Sequence, residues 1–138
     1  MPISAQRFSY SLGEHVTDDG VLPRLPITLS LGKRSRSELA LVDSGASVNV
    51  LPYTLGLSVG AIWEQQTIRL DLGGNLASVE ARGLLVNATV ANFSPARLVF
   101  AWANSDKVPF ILGQMNFFQM FDVCFFRAEF AFEVKPRS

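Results

Sequence analysis

Residues 39–51 read Leu-Ala-Leu-Val-Asp-Ser-Gly-Ala-Ser-Val-Asn-Val-Leu, and the fold that we expect follows from this stretch. An apolar run leads one acid, Asp43, into a turn of small residues, and the chain becomes apolar again from Val48. A carboxylate between two buried strands costs several kcal/mol unless a partner or solvent compensates the charge. Small residues after it let backbone amides approach a ligand closely. We therefore expect the functional site at Asp43.

Short runs of alternating apolar residues recur on both sides of this stretch and predict β-strands. Gly73 and Gly74 predict a tight hairpin turn, and residues 114–121 contain no helix breaker and predict two helical turns. Roughly nine or ten short strands with one short helix indicate an all-β barrel or sandwich. The predicted strands lie at residues 8–12, 25–31, 38–43, 67–71, 78–81, 83–90, 98–103, 123–126 and 129–134.

The composition narrows the classes of function. Hydrophobic residues make up 49% of the 138 residues and charged residues only 17%, so we expect a second copy of the chain to cover some apolar surface. Twelve basic and twelve acidic residues cancel without a basic run, which gives nucleic-acid or membrane binding no electrostatic support.

Residues 1–10 lack the apolar core of a signal peptide, and no apolar run approaches the roughly 18 residues of a membrane span. We expect a soluble cytoplasmic protein.

Few side chains are available for nucleophilic or metal chemistry. Cys124 is the sole cysteine and His15 the sole histidine, so we expect no disulfide, no metal site and no cofactor. Cys124 lies between Val123 and Phe125, and we expect it to be a buried small apolar residue. A Ser-His or Cys-His mechanism would require His15 to fold back from a polar N-terminal stretch.

Two short motifs resemble those of a known family. Residues 43–46 (Asp-Ser-Gly-Ala) resemble the Asp-Thr/Ser-Gly-Ala signature of the retropepsin-like aspartic proteases, the single-domain, homodimeric relatives of pepsin. Residues 111–113 (Ile-Leu-Gly) are similar to the apolar element that packs beneath the active-site loop in that family. The resemblance covers residues 25–126 and implies a closed β-barrel of the acid-protease fold. Residues 1–24 would then form an N-terminal strand and loop, and residues 127–138 a C-terminal strand, of one domain over residues 1–138.

The resemblance implies an aspartic endopeptidase whose active site is shared by two subunits. Asp43 is the implied catalytic residue, and its two copies in a homodimer would activate a water against a peptide bond of a peptide or protein substrate. The further implied residues are the active-site loop and dimer lock Ser44, Gly45, Ala46 and Ser47, the loop-supporting Ile111, Leu112 and Gly113, and a flap formed by Leu72, Gly73, Gly74, Asn75 and Leu76.

The sequence departs from the family pattern at two places. Gln114 and Met115 follow the glycine where the family often has an arginine and a polar residue, and Asn116 comes one place later. This departure weakens any arginine-mediated dimer contact carried over from the family. Ser47 stands where viral members usually have an aspartate that binds the substrate backbone, so we expect substrate binding to differ more than the catalytic mechanism.

The chemistry itself also favours a dimer. Activating water without a metal, a cysteine or a histidine requires one carboxylate as a base and one carboxylic acid as a proton donor. Among the twelve acids only Asp43 lies in a suitable apolar frame, and we expect the runners-up, Asp71 and Asp122, to be structural or exposed. A two-fold axis brings like residues together, so the expected partner of Asp43 is its own copy.

The sequence is also compatible with two other functions, and it leaves open how the two chain ends pair. The same fold can act without turnover, as a dimeric peptide-binding or scaffolding module. An unrelated β-barrel with a small-ligand pocket would make Asp43 an ordinary turn residue. Residues 8–12 and 129–134 can form either an intermolecular sheet or a sheet within one chain.

Overall fold

The computed structural model describes residues 4–14 and 20–137, a mostly β protein with only short helices. His15 lies outside the described residues. The α-helices are α1 (Tyr53–Ser58) and α2 (Phe117–Met120), and 3-10 turns occupy Trp63–Gln65, Gly74–Leu76 and Arg127–Glu129. The strands are β1 (Gln6–Ser9), β2 (Arg24–Leu31), β3 (Arg34–Val42), β4 (Asn49–Leu51), β5 (Arg69–Leu70), β6 (Ala81–Val90), β7 (Ala96–Ala103), β8 (Ile111–Leu112), β9 (Phe121–Phe126) and β10 (Ala131–Pro136).

Six of these strands close into a mixed β-barrel in the order β2, β3, β8, β4, β7 and β6. The ring closes where β6 pairs with β2, and β5 extends from β6 outside the ring. The β3–β8 and β4–β7 pairs are parallel, whereas the other neighbours in the ring are antiparallel. Closure pairs the strand edges that an open sheet would leave exposed. The expectation of a closed, all-β barrel is confirmed.

The barrel core consists of the alternate apolar residues that predict the strands. In β2 the buried apolar side chains are Leu25, Ile27 and Leu29, and the long strands β6 and β7 contribute further members such as Val86 and Phe100. Burying each large apolar side chain stabilises the fold by about 1.5–3 kcal/mol. The period-two pattern therefore also determines which face of each strand points inward.

An aromatic cluster fixes the chain that follows β4. The Trp102 ring stacks on Tyr53 at 5.6 Å between centroids and meets Trp63 edge-on at 5.2 Å. The Trp102 indole N–H donates to the Tyr53 carbonyl at 3.0 Å, which satisfies its polar atom within the core. Gly56 of α1 lies so close to this indole that a Cβ there would be 2.2 Å from Trp102 Nε1. Helix α1 is thereby anchored directly onto β7.

The two chain ends pair within the same chain. Strands β1, β10 and β9 form a three-stranded antiparallel sheet, in which Phe8 stacks on Phe132 at 5.5 Å. Phe132 is fully buried and belongs to the same apolar cluster as the barrel interior, so this sheet packs on the barrel. Of the two arrangements that the sequence leaves open, the structure contains the pairing within one chain.

Three expectations about local structure are wrong. Helix α2 has a single turn instead of two, because Gln114 and Met115 bind the loop before β4 and are not free to wind. The chain has two short α-helices, α1 as well as α2, where the sequence predicts one. Cys124 is exposed, because β9 is an edge strand of the three-stranded sheet and its alternate residues face outward. Among the described residues, no helix has the length and apolar character needed to cross a bilayer.

Replacing Gly56 by alanine tests the packing of α1. The added methyl group would overlap the buried Trp102 indole, and overpacking of this kind costs about 1–3 kcal/mol of unfolding free energy. We expect a correspondingly lower midpoint in urea denaturation followed by tryptophan fluorescence. Gly73→Ala is the matched control, since a Cβ there meets nothing within 4 Å. Equal midpoints for the two variants would contradict this description of the cluster.

Candidate functional site

Asp43 follows the last residue of β3 and lies at the base of a hydrogen-bonded turn. Its N–H donates to the Leu112 carbonyl at 3.0 Å, and its carbonyl accepts the Ala46 N–H at 3.1 Å. The carboxylate oxygen Oδ1 accepts the Gly45 N–H at 2.9 Å. An aspartate that binds the amide two residues further on makes a compact turn of its own. The turn therefore fixes the orientation of the Asp43 carboxylate.

The Asp43 carboxylate is accessible within the single chain. Asp43 is half-buried, and Ser44, Gly45 and Ser47 are exposed. Water and the Gly45 amide thus compensate the carboxylate charge, which does not by itself require a second copy of the chain. The loop presents a carboxylate of defined orientation at the molecular surface.

The segment that follows β8 supports the Asp43 loop from beneath. The Gln114 N–H donates to the Ala46 carbonyl at 2.8 Å, and the Met115 N–H donates to the Ser47 carbonyl at 2.9 Å. The Gln114 side-chain amide also donates to the Ser44 carbonyl at 2.7 Å. Three carbonyls of the loop are therefore held by two consecutive residues. Gln114 follows the Ile-Leu-Gly motif, at the position where the resembled family often has an arginine. Its side chain makes a contact within its own chain.

Gly113 allows the two segments to approach this closely. A Cβ at this position would lie 2.5 Å from the Val48 carbonyl oxygen and 2.9 Å from that of Ala46. Both contacts are with backbone, which cannot rotate aside as the end of a side chain can. The Gly113 N–H donates to Asn49 Oδ1 at 2.8 Å. The other two expected supporting residues, Ile111 and Leu112, precede Gly113. They form the buried strand β8.

An open depression of about 500 Å³ adjoins the loop. Met115 is 62% exposed and gives it an apolar wall, and among the described residues the side chains that line it carry no charge. Such a surface favours a neutral group, such as a peptide main chain or an uncharged side chain. The lining residues are Gly45, Ala46, Ser47, Gln114, Met115 and Gln119.

The predicted flap has a different shape from the expected tight hairpin. Strands β5 and β6 pair only through Arg69 with Arg82 and Leu70 with Ala81. Residues 71–80 connect them as a wide loop that contains the 3-10 turn Gly74–Leu76. The expectation of a tight turn at the two glycines is wrong, because the neighbouring Leu72 turns inward.

One apolar cluster joins this wide loop to the Asp43 loop. Leu72 is only 3% exposed and packs in a cluster with Val50 and Ile111, against which Ala46 and Leu76 also pack. The structure thus brings together the expected active-site loop, its support and the expected flap. Gly73, Gly74 and Asn75 are exposed at the loop tip. Leu72 would have to leave the cluster before its side chain could touch a ligand.

Neither of the two runner-up acids lines the depression beside the Asp43 loop. Asp71 and Asp122 are exposed, as expected. Within residues 4–14 and 20–137, no group of three or more His, Cys, Asp or Glu side chains is arranged to hold a metal ion. Asp43 is therefore the acidic group that the loop presents, and it lies beside the depression rather than among the residues that line it.

Two asparagines at the site are not among the residues that the sequence predicts to be functional. Asn49 is fully buried and binds Gly113, and Asn116 binds the main chain of β7. Asn49 had a signal, because it interrupts the apolar run Val48, Val50 and Leu51, where an unpaired amide would be costly. The residues next to Asn116 in the sequence contain no comparable pattern that would indicate its role.

Comparisons of the chain with protein-family models, with curated proteins and with solved structures found no match. The interpretation of the site therefore depends on its geometry and on the motif resemblance of residues 43–46 and 111–113.

Replacing Gly113 by alanine tests the support of the loop. The methyl group would force apart two backbone segments, and we expect a loss of about 3 kcal/mol of unfolding free energy, at the upper end for overpacking. We also expect faster amide hydrogen exchange at Gln114 and Met115, whose N–H groups bind the loop. Gly83→Ala is the control, since its Cβ would make only ordinary contacts of 3.7–3.8 Å. Unchanged exchange at both amides would contradict the proposed support.

Proposed function

We propose that this chain is a retropepsin-like aspartic endopeptidase that works as a homodimer, with a barrel of the acid-protease type. The proposal rests on one observation, the fixed orientation and accessibility of the Asp43 carboxylate. Its carboxylate is oriented by the Gly45 amide on an exposed turn, and Gly113 and Gln114 support that turn from beneath. A rigid base beneath an accessible carboxylate is the preorganisation that acid–base catalysis requires.

In this proposal each subunit supplies half of the catalytic pair. Two carboxyl groups about 3 Å apart share one proton, because both cannot ionise at that distance. The ionised Asp43 takes a proton from a water, which attacks the peptide carbonyl carbon, while the protonated Asp43 donates to the carbonyl oxygen. Collapse of the resulting tetrahedral intermediate breaks the C–N bond, and a proton passes to the leaving amine.

The exposed turn suits a two-fold axis that passes beside it. Ser44 is exposed, and within the described residues its hydroxyl makes no hydrogen bond, so it is available to bind its copy across the axis. The Ser44 carbonyl is already held by Gln114. Every two-fold axis brings like residues together, and a contact through Ser44 would place the two Asp43 carboxylates side by side.

The depression beside the loop suits an extended peptide. Its uncharged lining and the exposed Ser47 hydroxyl offer hydrogen bonds to a main chain without selecting a charged side chain. Residues 71–80 would cover the bound peptide, and the exposed Gly73 and Gly74 give this loop freedom to move.

One observation favours a simpler reading of Asp43. The hydrogen bond from Gly45 is also what an ordinary loop aspartate makes, so an unrelated barrel would show the same turn. A dimer that binds peptide without hydrolysis would likewise share this cleft. Turnover and the oligomeric state distinguish the three functions.

Asp43→Asn tests the catalytic role directly. We expect cleavage of an unfolded protein substrate by the purified chain, and a loss of about 10²–10⁴-fold or more in the variant, because the amide can neither take nor give the proton. Asp122→Asn is the matched control, an exposed acid on an edge strand far along the chain from the motif. A folded dimer that binds a pepstatin-type inhibitor or peptide but cleaves nothing from about pH 3 to pH 8 would favour the binding module. A monomer without inhibitor binding would favour the unrelated barrel.

A mixing experiment tests whether one site uses two chains. Adding an equal amount of the Asp43→Asn chain to the active chain should lower the activity to about half after subunit exchange, because mixed dimers carry one carboxylate. The Asp122→Asn chain, added in the same way, should cause no such loss. Exchange is verified by native mass spectrometry with a mass-labelled chain. Unchanged activity in a fully exchanged mixture would contradict a shared site.

A further inference from the structure

Strand β7 begins several residues before its parallel neighbour β4, and side chains take the place of the missing strand there. The β4–β7 ladder begins where Asn49 lies opposite Phe100, so Val99 is one residue beyond it. The Val99 carbonyl accepts Asn49 Nδ2 at 3.0 Å, and the Val99 N–H donates to Asn116 Oδ1 at 2.7 Å. Two carboxamides thus bind both main-chain groups of Val99. We refer to Asn49, Val99 and Asn116 together as the carboxamide clamp.

Asn49 connects this clamp to the Asp43 loop. Its side chain is 0% exposed, and its second polar atom, Oδ1, accepts the Gly113 N–H at 2.8 Å. One amide group therefore bridges β7 and the glycine that supports the loop. A carboxylate in its place would lack the donor for Val99, and an apolar side chain would leave Val99 and Gly113 without partners.

Asn116 holds the other end of the supporting segment in a strained conformation. Its φ of 78° and ψ of −60°, with the Phe117 N–H bonded to the Met115 carbonyl at 3.1 Å, form a γ-turn of the rare positive-φ kind. The Asn116 N–H donates to Gln119 Oε1 at 2.8 Å. Backbone strain persists only where surrounding contacts hold it, and here the carboxamide on Val99 supplies such a contact.

We propose that Asn49 and Asn116 are positioning residues for Asp43. Asn49 binds Gly113, and Asn116 directly follows Met115, so the two asparagines hold the two ends of residues 113–115. The contacts of this segment determine the position and orientation of the Asp43 loop. With the clamp intact, the two Asp43 carboxylates of the dimer meet at one water. Without it, the supporting segment relaxes from the strained turn and the carboxylates lose their alignment. This proposal rests on the proposed function, and it assigns roles to two residues that never touch the substrate.

Asn116→Gly and Asn116→Asp separate the carboxamide from the backbone turn. Glycine tolerates the positive φ but removes the contact with Val99, whereas aspartate retains an acceptor for the Val99 N–H. We expect kcat per inhibitor-titrated site to fall about 10–100-fold in Asn116→Gly with KM within about twofold, as misalignment of reacting groups predicts. Asn116→Asp should recover most of that loss. Asn92→Gly, at an exposed loop position, is the control for the same substitution.

The outcomes distinguish positioning from general stability. A purely structural role would reduce the number of titratable sites and the melting temperature but leave kcat per site unchanged, and that result would overturn the proposal. Equal losses in the glycine and aspartate variants would overturn it as well.

An activity-independent measurement keeps the clamp testable if the chain proves not to be a peptidase. Amide hydrogen exchange at Gly45 and Gly113 should quicken in Asn116→Gly and not in Asn92→Gly or Asn116→Asp. Exchange at wild-type rates would show that the clamp does not hold the loop. Faster exchange in a chain without peptidase activity would uphold the clamp and refute only the proposed function.

Discussion

The main chain of Gly113 packs against the carbonyl oxygens of Ala46 and Val48, and the geometry of the Asp43 loop depends on this contact. Because the approach is between two backbones, no rotamer change can accommodate a larger residue at Gly113. The contact also brings Gln114 and Met115 within hydrogen-bonding distance of the loop carbonyls. The carboxylate turn is thus supported by main-chain contacts, which are insensitive to the identity of most neighbouring side chains.

The parallel pairing of β3 with β8 creates this contact. Val42 lies opposite Leu112 in the ladder, and in a parallel pair both strands end at the same edge. The next residues, Asp43 and Gly113, therefore emerge side by side although they are far apart in the sequence. The second parallel pair, β4 with β7, leaves Val99 unpaired on the side that faces β4, and the two carboxamides fill that gap.

The site and the fold share their apolar residues. Leu72 of the wide loop and Ala46 of the Asp43 loop pack in one cluster together with Ile111 of β8. Movement of residues 71–80 over a peptide would therefore expose part of this cluster unless the peptide replaces Leu72. A neutral, partly apolar substrate segment is the kind of group that could make that replacement, which agrees with the uncharged lining of the depression.

By itself, the sequence determined most of the longer strands, the all-β class and the position of the Asp43 turn, because period-two alternation and small turn residues are local signals. Only the tertiary structure decided the single turn of α2, the exposure of Cys124, the burial of Leu72 and the roles of Asn49 and Asn116. The physical reason is that each of these depends on a contact between distant segments. Strand order and register, which no local pattern encodes, determine those contacts.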